Sequence, residues 1–232
     1  MVISGYLMHR IKGISPLQAA REMVTAAAPV RGAVLNTASG LGYTAIEGSR
    51  GGVRAEVLFF VPPGLTAEVH RVKLTNSTAE RKSLRLFSCV EFCFWNALDD
   101  MTNFQRNFST GEVVIDGSTV YHVTEYRERR NHFAFYSVNA PVAGFDTDRA
   151  TFLGPDAGYE APAAVMEKKP RNSVADGWSP IASHCIDLEL APGQSRELVF
   201  VLGYAENPPD RKWGSDGRIN TDPARKILDQ IG

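Results

Sequence analysis

The segment NALDDMTNFQRNFSTGE, residues 96–112, carries side chains suited to binding a sugar. Its amides, guanidinium group and carboxylates can form hydrogen bonds with vicinal hydroxyl groups, and Phe104 and Phe108 can stack on a pyranose ring. The same composition also fits an ordered surface loop that Phe104 and Phe108 anchor to the core. Composition alone leaves both interpretations open.

Other residues with reactive side chains are scattered. His70 and His184 fall on apolar faces of predicted strands, which favours histidines satisfied within a core over metal ligands. Asp99 and Asp100 are adjacent, whereas glycosidase carboxylates flank a sugar at about 5–10 Å. A loop-capping or solvated pair is therefore the favoured interpretation. The remaining histidines are His9, His122 and His132.

Two further segments are ambiguous. EYRERRNH interleaves three arginines with two glutamates, and a self-paired charged surface is favoured over an anion site. Its charged side chains are Glu125, Arg127, Glu128, Arg129 and Arg130. In ADGWSPIASH, Trp178 is either a stacking platform or a tryptophan buried at a turn, and the buried residue is the commoner case.

The three cysteines are Cys89, Cys93 and Cys185. An odd, sparse count argues against a disulfide framework and for a reducing compartment. Cys89 and Cys93 share one face of a predicted strand, but no cluster of histidines or cysteines completes a metal site. We therefore expect buried thiols and no metal. RGAVLNTASGLG lacks the strand–loop–helix context of a nucleotide site, so no cofactor is predicted.

Composition excludes some partners. The 232 residues are 44% hydrophobic and 22% charged, which suits a packed globular domain. With 25 basic and 26 acidic residues the net charge is −1. This balance predicts no nucleic-acid or membrane partner and fits a neutral ligand. No convincing targeting or membrane-spanning segment is present, so a cytoplasmic location is expected.

The central part of the chain alternates like half-buried β-strands. VRAEVLFFV places Val53, Ala55, Val57, Phe59 and Val61 on one face, and AEVHRVKLTN behaves similarly. SLRLFSCVEFCFW is apolar on both faces and predicts a central strand covered on both sides. PIASHCIDLELAP and SRELVFVLGYA are two further strands joined by the turn APGQS. The predicted fold is all-β, a large antiparallel β-sandwich.

Both ends of the chain differ from this sandwich. SPLQAAREMVTAAA predicts a short amino-terminal helix with Ser15 as its cap. TDPARKILDQIG predicts a second helix capped by Thr221 or Asp222, whose apolar face needs a partner because so short a helix is marginal alone. We therefore divide the chain into an atypical segment 1–34, a sandwich domain 35–205 and the start of a helical linker, 206–232.

Several long stretches resemble one enzyme family. They are FSCVEFCFWNALDDMTNFQRNFSTGEV, STVYHVTEYRERRNHFAFYSVNAPVAGFDTDRATFLGP, PRNSVADGWSPIASH and LVFVLGY. They resemble the amino-terminal domain of bacterial cellobiose phosphorylases, which are family ninety-four inverting glycoside phosphorylases. The resemblance begins near LGYTAIEG, at about residue 40, and favours the cellobiose branch over the chitobiose branch.

The resemblance implies a supersandwich domain, then a helical linker and an (α/α)₆ barrel with the active site. The implied reaction converts cellobiose and phosphate to glucose 1-phosphate and glucose with inversion, without cofactor or metal. The implied enzyme is a homodimer in which a sandwich loop reaches the partner's active site. Arg106, with Gln105 beside it, corresponds to residues that line the acceptor-sugar end of that site.

The barrel is absent from this sequence, so the general acid and the phosphate-binding residues are absent as well. We therefore expect a fragment that has no catalytic residue, is inactive alone and binds cellobiose or glucose. Phosphate would bind only through the missing barrel. Two alternatives stay open: a stand-alone carbohydrate-binding or interaction module, and a non-functional remnant.

Overall fold

The computed structural model describes residues 34–92, 111–124, 131–155, 158–159, 161–175 and 180–232. Within them, alternating apolar and polar residues form long antiparallel strands. In Val53–Phe60 the odd-numbered residues Val53, Ala55, Val57 and Phe59 are buried, as the alternation predicts. Val61 lies beyond the strand and is 52% exposed, so its predicted place on the buried face is wrong.

The larger sheet has eight strands in the order β1-β2-β3-β4-β12-β9-β8-β7. Every neighbouring pair in it is antiparallel. Its strands are β1 (Val34–Gly40), β2 (Tyr43–Arg50), β3 (Val53–Phe60), β4 (Ala67–Asn76), β7 (Gly111–Asp116), β8 (Thr119–Thr124), β9 (His132–Val138) and β12 (Ser195–Glu206).

The smaller sheet has the order β10-β11-β5, and β6 pairs with β11 as well. Its strands are β5 (Lys82–Phe87), β6 (Val90–Glu91), β10 (Gly144–Asp148) and β11 (Pro180–Leu190). The consecutive strands β11 and β12 lie in different sheets. The turn between them is closed by a hydrogen bond from the Gln194 amide to the Ala191 carbonyl, so the predicted turn forms an arch between sheets rather than a hairpin.

The main core lies between the inner faces of the two sheets. It contains Val57, Val72, Leu74, Leu86, Val90, Tyr136, Ile186, Leu198 and Phe200, among others. The predicted all-β antiparallel sandwich is therefore confirmed.

The predicted central strand SLRLFSCVEFCFW needs a correction. Ser88 and Cys89 interrupt it between β5 and β6, and among the described strands β5 pairs only with β11. Its coverage on two sides is confirmed, because Leu86 and Val90 face the main core while Phe87 and Cys89 face a separate apolar cluster. The burial of β5 and β6 on both faces therefore arises from a layer of helices outside the smaller sheet and not from a central position within that sheet.

Helices cover parts of both outer faces. Helix α1 (Arg149–Leu153) and helix α2 (Ala163–Met166) contribute Phe152, Leu153 and Ala164 to the cluster outside the smaller sheet. Helix α3 (Asp222–Ile231) has Thr221 as its N-cap residue and packs on β12 and its neighbours. Its predicted apolar face thus finds its partner within the chain. The amino-terminal helix predicted after Ser15 lies outside the described residues.

No helix in the described part of the chain combines the length and apolarity that a membrane span requires.

Candidate functional site

The inner face of the larger sheet changes from apolar to polar along its strands. Strand register places inner-facing residues in rows across the sheet. The apolar rows are Val57, Val72 and Leu198, followed by Phe59, His70, Phe200 and Val138. A mixed row of Glu68, Leu202, Tyr136 and Val120 comes next. The polar rows are Tyr204, Ala134 and His122, followed by Glu206 and His132.

We call these last two rows the polar end. The two described residues that flank segment 93–110 lie there. The Phe92 ring lies 5.2 Å from the His122 ring, between centroids, and Gly111 pairs with Thr124 next to the polar rows. Strand β6 of the smaller sheet and strand β7 of the larger sheet therefore bring the two described residues that flank segment 93–110 to the same end of the sandwich.

Two other segments with predicted site residues are attached to the same end. Segment 125–130 leaves β8 directly after Thr124 and returns to β9 next to His132. Segment 176–179 precedes β11, and Ile181 of that strand pairs with Glu91, next to Phe92. The described residues that flank three segments far apart in sequence thus lie at the same end of the sandwich.

Three polar side chains form a chain of contacts at the polar end. The Tyr204 hydroxyl and His132 Nδ1 form a hydrogen bond, and their ring centroids are 5.0 Å apart. His132 Nε2 lies 3.5 Å from Glu206 Oε1. The His132 side chain is 19% exposed and the Glu206 side chain 61% exposed, so solvent reaches the carboxylate end of this chain.

His122 is a buried member of the polar end. Burial lowers the pKa of His122 to about 4, and an interaction with the Glu112 backbone offsets this only in part. The ring is therefore neutral at physiological pH, and it contacts the Phe92 ring with the two ring planes tilted by 35°.

A second cluster fixes the strand that leads into segment 93–110. The Tyr159 hydroxyl donates a hydrogen bond to Glu91 Oε1, and Arg149 Nε lies 3.0 Å from the same carboxylate oxygen. The Arg149 guanidinium also lies 5.5 Å above the Tyr159 ring centroid. Burial raises the pKa of Tyr159, so the phenol stays protonated and can donate.

The core histidines do not form a ligand site. His70, Tyr136, Ser88 and Cys89 line a cavity of about 20 Å³, room for about one water and too small for a sugar. Burial lowers the pKa of His184, which stacks on Tyr136, to about 4. The predicted burial of His184 is confirmed, and an interaction with the Ser118 backbone offsets the effect of burial on its pKa in part, although neither ring nitrogen has a partner with full hydrogen-bond geometry. His70 Nε2 lies 3.2 Å from Glu68 Oε1, without hydrogen-bond geometry.

The two described cysteines are buried free thiols, as predicted. Burial raises the pKa of Cys185 to about 11 and that of Cys89 further, so neither thiol is ionised at neutral pH. Within the described residues, no three His, Cys, Asp or Glu side chains are grouped to hold a metal ion.

Several predicted candidates lie outside the described residues. They are the sugar-binding residues Gln105 and Arg106, together with Cys93, Asp99, Asp100, Phe104, Phe108, Trp178 and the charged residues of 125–130. Sequence reasoning missed Tyr204 and Glu206. The signal was available, because both continue the even-numbered inner face of Leu198, Phe200 and Leu202 with polar residues.

Comparison with known proteins identifies the family. The model of the glycosyl hydrolase 94 supersandwich domain matches residues 20–229. The chain belongs to this family. The match begins at residue 20, whereas the sequence resemblance begins near residue 40. Part of the predicted atypical segment 1–34 therefore lies inside the family match.

Curated relatives of this supersandwich domain are much longer proteins. This chain is 25% identical over 173 residues to N,N'-diacetylchitobiose phosphorylase of Vibrio proteolyticus, and the alignment covers 74% of this chain and 22% of the relative. It is 24% identical over 202 residues to solabiose phosphorylase of Paenibacillus borealis, with 82% of this chain and 26% of the relative covered. It is 25% identical over 182 residues to cyclic beta-(1,2)-glucan synthase NdvB of Rhizobium meliloti (strain 1021), covering 77% and 6%. The chain spans about a quarter or less of the length of these relatives.

Among solved structures, a bacterial glucoamylase complexed with acarbose superposes with a TM-score of 0.46 at 11% identity, covering 87% of this chain and 26% of that one. This likeness carries no functional argument.

Proposed function

We propose that this chain is the carbohydrate-binding sandwich domain of a cellobiose phosphorylase-type glycosyltransferase. The intact enzyme would convert cellobiose and phosphate to glucose 1-phosphate and glucose with inversion. The observation that supports this most directly is the family match over residues 20–229. The cellobiose branch rests on the sequence resemblance, since two of the relatives named above are chitobiose and solabiose phosphorylases.

In this proposal the chain supplies substrate contacts and no catalytic residue. Gln105 and Arg106 meet the acceptor sugar, and Arg106 donates hydrogen bonds from a fixed plane to its hydroxyl groups. The attachment of segment 93–110 at Phe92 and Gly111 supports this role, because two strands of a packed sandwich hold both of its ends. Rigid attachment lowers the entropy lost on binding.

The intact enzyme is proposed to be a cytoplasmic homodimer in which this loop serves the partner subunit's active site. The general acid and the phosphate site would belong to a barrel domain, so phosphate binds only there. The isolated chain is then expected to produce no glucose 1-phosphate from cellobiose, since inverting chemistry needs an acid at the leaving oxygen. Product well above a blank, in a preparation free of host enzyme, would disprove this.

The decisive experiment joins this domain to the barrel of a homologous phosphorylase and changes Arg106→Ala. A charged hydrogen bond contributes about 1.5–3 kcal/mol, so the KM for cellobiose, or for glucose in synthesis, should rise roughly 10- to 150-fold. The KM for phosphate should not change. Arg50→Ala, at the far end of the β2–β3 hairpin, is the matched control. If all KM values and kcat stay within about twofold of the parent, loop 93–110 does not bind substrate.

A second candidate is a stand-alone carbohydrate-binding module. Helix α3 favours it, because Ala224 is fully buried and Ile227, Leu228 and Ile231 pack on the sheet, which gives the domain a covered outer face of its own. Calorimetric titration of the isolated chain with cellobiose separates this candidate from a non-functional remnant, for which no heat of binding is expected.

A further inference from the structure

The polar end presents hydrogen-bond acceptors to solvent. His132 Nε2 faces Glu206 Oε1 at 3.5 Å, so we assign the imidazole proton to Nε2, and in that tautomer Nδ1 accepts from the Tyr204 hydroxyl. The Tyr204 oxygen keeps its lone pairs, and the Glu206 carboxylate is 61% exposed. This arrangement suits a ligand that donates hydrogen bonds.

The backbone that carries these acceptors is held on both sides. The Tyr204 amide donates to the Thr66 carbonyl at 2.9 Å, and the Thr66 hydroxyl donates to the Tyr204 carbonyl at 2.6 Å. On the other side, β12 and β9 pair as far as Glu206 and His132. Strand pairing therefore fixes the spacing of the Tyr204 and Glu206 side chains before any ligand arrives, which lowers the entropic cost of binding.

The charges of this region decide what kind of ligand fits. Glu68 lies two rows from Glu206 on the same inner face, with its side chain 14% exposed. Among the described residues of this region, the two carboxylates disfavour phosphate and other anions. No three metal-ligating side chains are grouped anywhere in the described part of the chain, which disfavours a metal ion. A neutral polyhydroxy compound can donate to both Glu206 and Tyr204 without a charge penalty.

We propose that Tyr204 and Glu206 form a sugar-binding site on the sandwich domain itself, accepting hydrogen bonds from neighbouring hydroxyl groups of a neutral glucoside. His132 is a positioning residue that orients the phenol. This site is additional to the one proposed for Gln105 and Arg106. It rests on the proposed carbohydrate-binding function only because that function suggests a sugar as the ligand.

The test is a calorimetric titration of the full chain with cellobiose at pH 7. Glu206→Gln keeps the shape but removes the charge, and it should weaken binding roughly 10-fold or more, because charged hydrogen bonds are the stronger ones. Tyr204→Phe keeps the ring and removes one acceptor, so a smaller loss of a few fold is expected. Glu197→Gln, an exposed carboxylate on β12 that pairs with Arg71, is the matched control and should bind like the parent.

The positioning role of His132 has its own readout. His132→Asn can still accept the phenol proton, whereas His132→Ala cannot. Binding should therefore be largely retained in His132→Asn and weakened in His132→Ala by a few fold, no more than in Tyr204→Phe, with the two His132 variants melting at similar temperatures. Equal loss in both variants would contradict positioning through the phenol.

Three outcomes would overturn the site. They are no binding of cellobiose by the parent chain, equal affinity of the parent and Glu206→Gln, and binding of an arginine-containing peptide in place of cellobiose. Failure of the proposed function is distinguishable, because it appears as an unchanged KM in Arg106→Ala of the joined enzyme. The Glu206 and Tyr204 effects in the isolated chain do not depend on that result.

Discussion

The two ends of the larger sheet's inner face are built from the same strands but serve opposite purposes. Phe200 and Leu198 on β12 are almost fully buried against the smaller sheet. Four and six residues further than Phe200 along the same strand, Tyr204 and Glu206 face solvent and polar neighbours. Strand β12 is therefore one continuous support, in which the buried part fixes the position of the polar part.

Truncation at the apolar rows should cost the most stability. Phe200 is 2% exposed and packs against Tyr136, with ring centroids 5.7 Å apart. Phe200→Ala should lower the free energy of unfolding by about 3–5 kcal/mol, because it removes buried area and leaves a cavity. Denaturant unfolding measures this. Tyr204→Phe on the same strand is the control and should cost far less. A loss below about 1 kcal/mol for Phe200→Ala would mean that the two ends do not differ.

Acid should destabilise the fold through its buried histidines. The folded-state pKa values of His122 and His184 are about 4, against an ordinary value of 6.5. Between these values the unfolded chain binds more protons, so stability is complete above pH 6.5 and falls as pH falls toward 4. Each histidine should cost roughly 2 kcal/mol between pH 7 and 5.

Single variants divide this acid sensitivity between the two regions. His184→Phe, within the core, and His122→Phe, at the polar end, should each reduce the pH slope of unfolding by about one proton. If His122→Phe alone left the pH dependence of the unfolding free energy unchanged, water would reach the His122 ring, and only the apolar rows would exclude water.

The contact that holds the strand before segment 93–110 should have a moderate effect. Tyr159→Phe removes the hydroxyl that donates to Glu91. Because the acceptor is a carboxylate in a partly exposed position, we expect a loss of about 1–2 kcal/mol on denaturant unfolding. Tyr43→Phe, at a residue that is 47% exposed, should change stability by less than that. Equal values for both variants would argue against an anchoring role for Tyr159.

Glu206→Gln should have the smallest effect on stability. The carboxylate is exposed and its contact with His132 is long, so the free energy of unfolding should stay within about 0.5 kcal/mol of the parent. Thermal and denaturant unfolding of the variant measure this. A loss above about 2 kcal/mol would assign Glu206 to the core and remove the distinction between the two ends.

The sequence alone determines the all-β class and the buried faces of several strands. Alternation in β3 and β4, and the apolar runs of β11 and β12, identify the all-β class because side chains of a strand point to opposite faces in turn. The helix over Asp222–Ile231 is predicted equally well, from its proline and its apolar spacing. These signals are local, so they can be recognised without knowing which strands are neighbours.

Only the tertiary structure decides which strands become neighbours. β11 and β12 follow each other in sequence but lie in different sheets, while β12 pairs with β4, whose residues lie more than 100 positions earlier. The two-sided burial of Phe87 to Val90 comes from α1 and α2, not from a central position in a sheet. His132 and Tyr204, 72 positions apart, meet because β9 and β12 pair. Alternation fixes the face on which a residue lies, but long-range pairing fixes its neighbours, and the candidate site depends on those neighbours.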